Sequence, residues 1–506
     1  MTNSVTIGDL LGAGGERIAI AAPSAVAVTH DGLREQMGDT IAALNAVGIG
    51  RGDRVAIVLP NGPELAAAFI GIAAGATSAP LNPSYRADEF EFYLTDLKAK
   101  ALVVGSDPPP AATEIAAKLG VPVIALRPQP DKGAGRFALD TSAVPKQPLK
   151  TAGHAAPSDV ALLLHTSGTT SRPKIVPLTQ ANVCTSARNV SATLRLSAAD
   201  RGLVIMPLFH IHGLIAGVLA PLSAGGSIFC SPGFNALRFF SWVQEAAPTW
   251  YTAVPTMHQA ILSRARNNAE IIAGNRLRFI RSSSSSLPPQ VLAELEATFD
   301  TPVIESYGMT EAAHQMTSNL LPPGARKPGT VGVEAGPQVA IMDEAGSLMA
   351  PSQTGEIVIR GDNVTLGYEG NAKANAEAFT NGWFRTGDQG VMDQDGYLTI
   401  TGRLKEIINR GGEKISPREV DDVLMDHPAV LQVVTFAIPH DKLGEEVGAA
   451  VVLREGQTAA ERDLRDYVAL RLSDFKVPRR IVFLDEIPKG ATGKLQRIGL
   501  AQKLGL

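Results

Sequence analysis

The densest chemistry-bearing pattern in this 506-residue chain is the ten-residue string HTSGTTSRPK, His165 to Lys174. Six hydroxyl-bearing or glycine positions, Thr166 to Ser171, come before the lysine. Small side chains permit close backbone approach, backbone N–H groups can converge on an anion, and the lysine adds a point charge, so the string suits nucleotide phosphates. It is not the GxxxxGK[ST] loop, since neither the glycine spacing nor a Lys-Ser/Thr pair is present. Other polar candidates are the serine run Ser282 to Ser286, the histidines of PLFHIHG (His210 and His212) and His314, three positions after Glu311. The early GAGG, Gly12 to Gly15, reads as a turn, because Arg17 stands where a dinucleotide fingerprint needs glycine.

Taken whole, TSGTTSRPK resembles the phosphate loop of the acyl-adenylate-forming superfamily of acyl-CoA synthetases, adenylation domains and luciferases. Further motifs follow in the family's order: YGMTE (Tyr307 to Glu311), FRTGD (Phe384 to Asp388), GRLKEIINRGGEKISP (Gly402 to Pro417) and PKGATGKLQR (Pro488 to Arg497). Singly, Asp388 would read as a turn residue, Lys405 as a surface charge and Lys494 as a solvated loop lysine; their order along the chain reverses that reading.

The resemblance implies ATP, Mg²⁺ and the co-substrate coenzyme A. Thr166, Ser167, Gly168, Thr169, Thr170 and Lys174 would hold phosphates, with Thr170 and Glu311 at the metal. Ser306 and Tyr307 would lie against the adenine, Thr310 at the α-phosphate, and Asp388 and Arg403 on the ribose. Lys494 would bridge carboxylate and α-phosphate, Lys405 would be the pivot between domains, Gly412 would lie beside pantetheine and His210 would line the passage to the thiol. His212 reads as structural. The implied architecture is α/β: a large N-terminal AMP-binding domain (1–402) of βαβ-type layered sheets with a β-rich subdomain, then a small mobile α+β C-terminal domain (403–506).

Two departures bear on the acid. Ser171 and Ile175 replace glycines of the common phosphate loop, and the segment usually written SGGAPL reads SSSSSL, Ser282 to Leu287. A short helix starting at Glu311 would bring His314 near the metal-binding face. Ser284 and His314 would then bind the second carboxylate of a very small diacid, because a buried anion needs donors whereas a fatty acid needs an apolar tunnel. TSGTTSRPK, the serine run and TEAAH together look like the oxalate–CoA ligase branch. The same donors would serve malonate or another short acid. Delivery to a carrier-protein thiol, or a regulatory or RNA-binding role on a ligase scaffold, are the competing readings. Retention of Glu311, Asp388, Arg403 and Lys494 argues against the scaffold.

The elements that must position these residues alternate. Arg54 to Leu59 and Ala101 to Val104 read as strands, Glu64 to Ala74 and Glu89 to Leu97 as helices, which implies a parallel sheet covered on both faces. Residues 107–156, rich in Pro, Ala and Gly, read as a connector before the strand Val160 to Leu164. Near Arg403 the texture changes to a small unit: Ser416-Pro417-Arg418-Glu419 predicts a capped helix burying Val420, Val423 and Leu424. Strands Val430 to Ile438 and Gly448 to Leu453 follow, with an amphipathic helix marked by Leu464, Tyr467 and Val468.

Composition sets the outer bounds. With 45% apolar and 19% charged residues the chain can build several packed cores. A net charge of −4 carries no basic field for nucleic acid or an anionic membrane. Two cysteines without metal spacing read as buried reduced thiols. The start lacks the character of a secretory signal, and the longest apolar stretch, Leu65 to Ala76, is short of a membrane span. The expectation is a cytoplasmic monomer or homodimer acting on a carboxylic acid, ATP and CoA.

Overall fold

The computed structural model describes residues 6–166, 173–490 and 494–506. Among the described residues there are four sheets. The first is centred on parallel strands that include Arg54–Val58, Thr77–Pro80, Ala101–Val104 and Val160–Thr166, with Lys174–Thr179 antiparallel at its edge. The second aligns Arg201–Val204, Trp250–Ala253, Phe279–Ser283 and Val303–Met309 in parallel and adds His314–Ser318 antiparallel. Helix Pro63–Ala73 is buried on every side between these two sheets, which accounts for its unbroken apolar sequence. A third, antiparallel sheet carries Thr354–Arg360, Trp383–Met392 and Leu398–Arg403.

The small unit has its own mixed sheet, led by the ten-residue register between Val430–His440 and Gly444–Leu453. Its cores draw only on residues from Ile408 onward. Helix Pro417–Met425 buries Val420 and Leu424 fully and Val423 partly. The capping expectation fails: Ser416 Oγ donates instead to the Thr401 carbonyl across the junction, and Glu419 takes Lys476 at 2.7 Å. Helix Glu461–Ala469 buries Leu464 and Val468, while Tyr467 donates its hydroxyl to the Asp426 carbonyl.

The connector expectation for residues 107–156 is wrong. Helix Pro110–Lys118 and strands Val123–Pro128 and Phe137–Asp140 extend the first sheet. Proline here occupies the first helical position, where its missing N–H costs nothing, and Gly120 (φ +66°) closes the following turn, so the same residues that suggested a loop punctuate short elements. Cys184 and Cys230 are buried and free, and no helix among the described residues is long and apolar enough to cross a membrane.

Candidate active site

Strands Val160–Thr166 and Lys174–Thr179 pair so that Thr166 stands opposite Lys174, bringing together the two ends of the phosphate-loop motif. Ser167, Gly168, Thr169, Thr170 and Ser171 lie outside the described residues, as do Ala491 to Gly493 of the last motif. Lys174 Nζ sits 4.2 Å from the centre of the Tyr368 ring, and the Tyr368 hydroxyl donates to Glu311 Oε1 at 2.8 Å. One tyrosine thus links the cation to the proposed metal carboxylate. Burial raises the pKa of Glu311, opposed by that hydrogen bond and by the Lys174 and Arg403 charges.

Among the described residues no cluster of three or more His, Cys, Asp or Glu could hold a metal unaided. A single hard carboxylate with no nitrogen or sulfur donor suits Mg²⁺ arriving on ATP phosphates, which completes its shell with phosphate oxygens and water. Thr310 leads the single tight turn Thr310–Ala312 that holds Glu311.

The ribose candidates converge from three elements. Asp388 in Trp383–Met392 accepts from the Tyr307 hydroxyl at 2.5 Å and from Arg403 Nε at 2.9 Å. The Asp388 charge holds the Arg403 guanidinium firmly protonated. A carboxylate has about four acceptor positions, so two remain for hydroxyls. Ser306 is buried and its hydroxyl turns to the Ser282 carbonyl at 3.4 Å.

Lys494 of the small unit is exposed to solvent, although protein groups crowd around its amine. Desolvation, then the Arg403 charge, pull its pKa down to about 8, with Asp388 opposing. Its charge also reaches His210, His212 and His314. His210 packs its ring on Phe209 at 4.7 Å, leaves Nε2 buried without a partner, and is held neutral, its pKa lowered to about 3 by burial and then by Lys494. Lys405 is exposed in the turn Leu404–Glu406, and Gly412 (φ +98°) forms the exposed hairpin tip between Ile408–Arg410 and Glu413–Ile415.

His314 does not lie on a helix. Ala313 turns the chain through φ +47°, His314 takes φ +107°, and the chain enters strand His314–Ser318, because pairing with Val303–Met309 outcompetes one more helical turn. The residue nevertheless reaches the site: its ring stacks on His212 at 4.9 Å, and its Nε2 is buried without a partner. His212, read from sequence as structural, meets Ser284 Oγ at 3.0 Å through Nδ1 and Thr252 Oγ1 at 2.6 Å through Nε2. It opens a wide helix, His212–Leu219, a form enriched at functional sites. Ser284 holds φ +76°, so both acid candidates keep functional side chains where the backbone favours glycine.

Sequence reasoning also missed Tyr368, Thr252 and Glu305, whose Oε1 accepts the Leu287 N–H at 2.9 Å and pins the end of the serine run. Nothing local in the sequence marks the first two. Gly308 of YGMTE has a steric reason: a Cβ there would collide with the His314 carbonyl oxygen. Gly308→Ala should therefore cost about 3 kcal/mol or more and displace Glu311 and His314 together, seen as a lowered Tm with loss of activity on every acid.

Known proteins match this arrangement. The AMP-binding enzyme family matches residues 12–369, and the AMP-binding enzyme C-terminal domain matches residues 419–494. A probable CoA ligase from Humulus lupulus is 46% identical over 98% of this chain and 96% of its own. The oxalate–CoA ligase of Arabidopsis thaliana is 45% identical over 96% and 95%. The crystal structure of ATP-bound MatB from Rhodopseudomonas palustris superposes with a TM-score of 0.89 at 29% identity, covering 99% of this chain and 98% of the other. With Lys174, Tyr368 and Glu311 joined by direct contacts, with Tyr307, Asp388 and Arg403 likewise joined, and with these matches over nearly its whole length, the chain belongs to the AMP-binding enzyme family.

Proposed function

We propose that this enzyme is an ATP-dependent acid–CoA ligase that converts oxalate to oxalyl-CoA with release of AMP and pyrophosphate. The observation that carries the choice of acid is the polar end of the site: Ser284 and His314, both in left-handed backbone, meet at His212, with His314 Nε2 unpartnered. Such groups suit a second carboxylate and penalise an alkyl chain. The oxalate–CoA ligase of Arabidopsis thaliana, 45% identical, supports the same acid.

In the first half-reaction a carboxylate oxygen bonds to the α-phosphorus as the bond to the β-phosphate oxygen breaks, giving acyl-AMP and pyrophosphate. Both reactants are anions, so positive charge must converge on them. Lys494 supplies it between acid and α-phosphate, and Thr166 and Lys174 frame the departing phosphates. Asp388 and Arg403 hold the ribose, Tyr307 and Ser306 the adenine side, and Thr310 the α-phosphate. Mg²⁺ held by Glu311 would neutralise phosphate charge.

In the second half the CoA thiol gives up its proton, its sulfur attacks the acyl carbon and AMP leaves. His210 lines that passage. We assign the boundary at 402/403 and the pivot at Lys405, so that rotation withdraws Lys494 and brings Gly412 to pantetheine. Support comes from Lys494 already acting on Asp388 and Arg403 while Gly412 occupies an exposed hairpin tip. Free buried thiols suit a reducing cytoplasm.

The deciding experiment measures pyrophosphate release with ATP, Mg²⁺ and CoA across oxalate, malonate, acetate, octanoate and an aromatic acid. Preference for oxalate is expected. Preference for a longer acid would overturn the substrate while keeping the ligase, and no release on any acid would favour the scaffold reading. His314→Ala should lower the oxalate-to-acetate ratio of kcat/KM by about tenfold, the loss of one charged hydrogen bond; an unaltered ratio would remove His314 from the acid.

A further inference from the structure

Arg281 is fully buried in strand Phe279–Ser283, and among the described residues no carboxylate pairs with it. An unpaired buried cation is expensive, so its retention calls for a reason. Its NH2 donates to Gln315 Oε1 at 3.2 Å, while NH1 lies 3.3 Å from both Thr252 Oγ1 and His212 Nε2. Burial draws its pKa down to about 9, which leaves it charged at neutral pH.

A guanidinium only donates, and this sets the direction of every bond beyond it. Thr252 accepts from Arg281 and so turns its own proton to His212 Nε2, 2.6 Å away. With Nε2 accepting, neutral His212 carries its proton on Nδ1 and donates to Ser284 Oγ at 3.0 Å. Ser284 then has its hydroxyl proton free for an acceptor outside the chain of bonds.

We propose that Arg281 is a positioning residue for acid selection, orienting a one-way donor relay through Thr252 and His212 that makes Ser284 a fixed donor to the second carboxylate of the substrate. This rests on the assignment of Ser284 to the acid. The relay rewards an acceptor with no proton of its own and offers nothing to a methyl group, so it separates oxalate from acetate. Three segments supply its four residues: His212, Thr252, and Arg281 with Ser284.

The test is a double-mutant cycle with Arg281→Met, Ser284→Ala and the double variant, reading kcat/KM for oxalate and acetate together with Tm. Arg281→Met is expected to lower the oxalate-to-acetate ratio by about 10- to 100-fold, the scale of a charge-assisted hydrogen bond. Its Tm should hold or rise, because a buried unpaired charge is gone. In the Ser284→Ala background the same change should add little, since both break one relay. Independent, multiplying effects would overturn the relay, as would a fall in both acids by the same factor with a lowered Tm. Should Arg281→Met fail to fold, Thr252→Val takes its place in the cycle under the same criteria. Failure of the underlying reading is separable: it would appear in the wild-type enzyme as no preference for a dicarboxylate.

Discussion

Lys494→Ala is expected to abolish adenylation, by about 10³-fold or more, while sparing thioester formation from supplied oxalyl-AMP. Removing one preorganised donor aimed at developing charge costs about 10²- to 10³-fold, and here the lost group is a full cation between two anions. In the proposed cycle the second half-reaction runs with the small domain rotated and Lys494 withdrawn, so its charge would not be needed there. Pyrophosphate exchange and acyl-AMP-dependent CoA consumption measure the two halves separately, and equal loss in both would refute the assignment. A pH profile adds a second signature. Desolvation and the Arg403 charge lower the Lys494 pKa to about 8, and the protonated amine is the working form. Adenylation kcat/KM should therefore be full below that value and fall as pH rises through it. Lys494→Ala should lack this alkaline limb.

Asp388→Asn should instead damage both halves together. Its carboxylate ties Tyr307 and Arg403 into one unit and has two acceptor positions left for the ribose. The amide keeps the volume but turns donors toward groups that themselves donate, leaving Tyr307 or Arg403 unmatched. Since AMP stays bound through both steps, kcat/KM for ATP and the rate from acyl-AMP should each fall by about 10²-fold or more, the worth of two hydrogen bonds to a charged group. A loss confined to adenylation would contradict the ribose role.

The contrast between these variants follows from where the two side chains sit. Asp388 belongs to the large unit, where the proposal has it meet the nucleotide throughout, whereas Lys494 sits on the small unit, whose cores share no residue with the large one. Among the described residues the polar contacts that cross between them include Gln259 Nε2 to the Leu431 carbonyl at 3.1 Å, Gln432 Nε2 to Gln259 Oε1 at 3.1 Å and Arg418 NH1 to the Ile400 carbonyl at 2.6 Å. Separate cores joined by polar contacts are what the proposed rotation requires.

Much of the candidate site is local in the chain and was legible there. The phosphate string, YGMTE, FRTGD and the two C-terminal motifs each put chemistry and backbone requirement into a few consecutive residues. Gly308 is required because the next strand folds back against it, and Lys174 comes opposite Thr166 because their two strands pair antiparallel. Residues 107–156 misled because proline and glycine mark element ends as readily as loops. His314 misled in a different way: its spacing from Glu311 fits a helix, and only pairing with Val303–Met309 makes it the start of a strand.

By itself, the sequence determined the order of the motifs, the α/β alternation and the candidates for handling ATP, because these depend on neighbours within a few residues. The tertiary structure decided what surrounds Glu311 and the acid candidates Ser284 and His314. Tyr368 reaches Glu311 across 57 positions, and His212 reaches Ser284 across 72. Such contacts depend on which strands lie side by side, and the order of parallel strands is set by how the helices between them pack rather than by any residue near the site. The buried charge of Arg281 has meaning only after that packing has put Thr252 and His212 beside it and kept every carboxylate away.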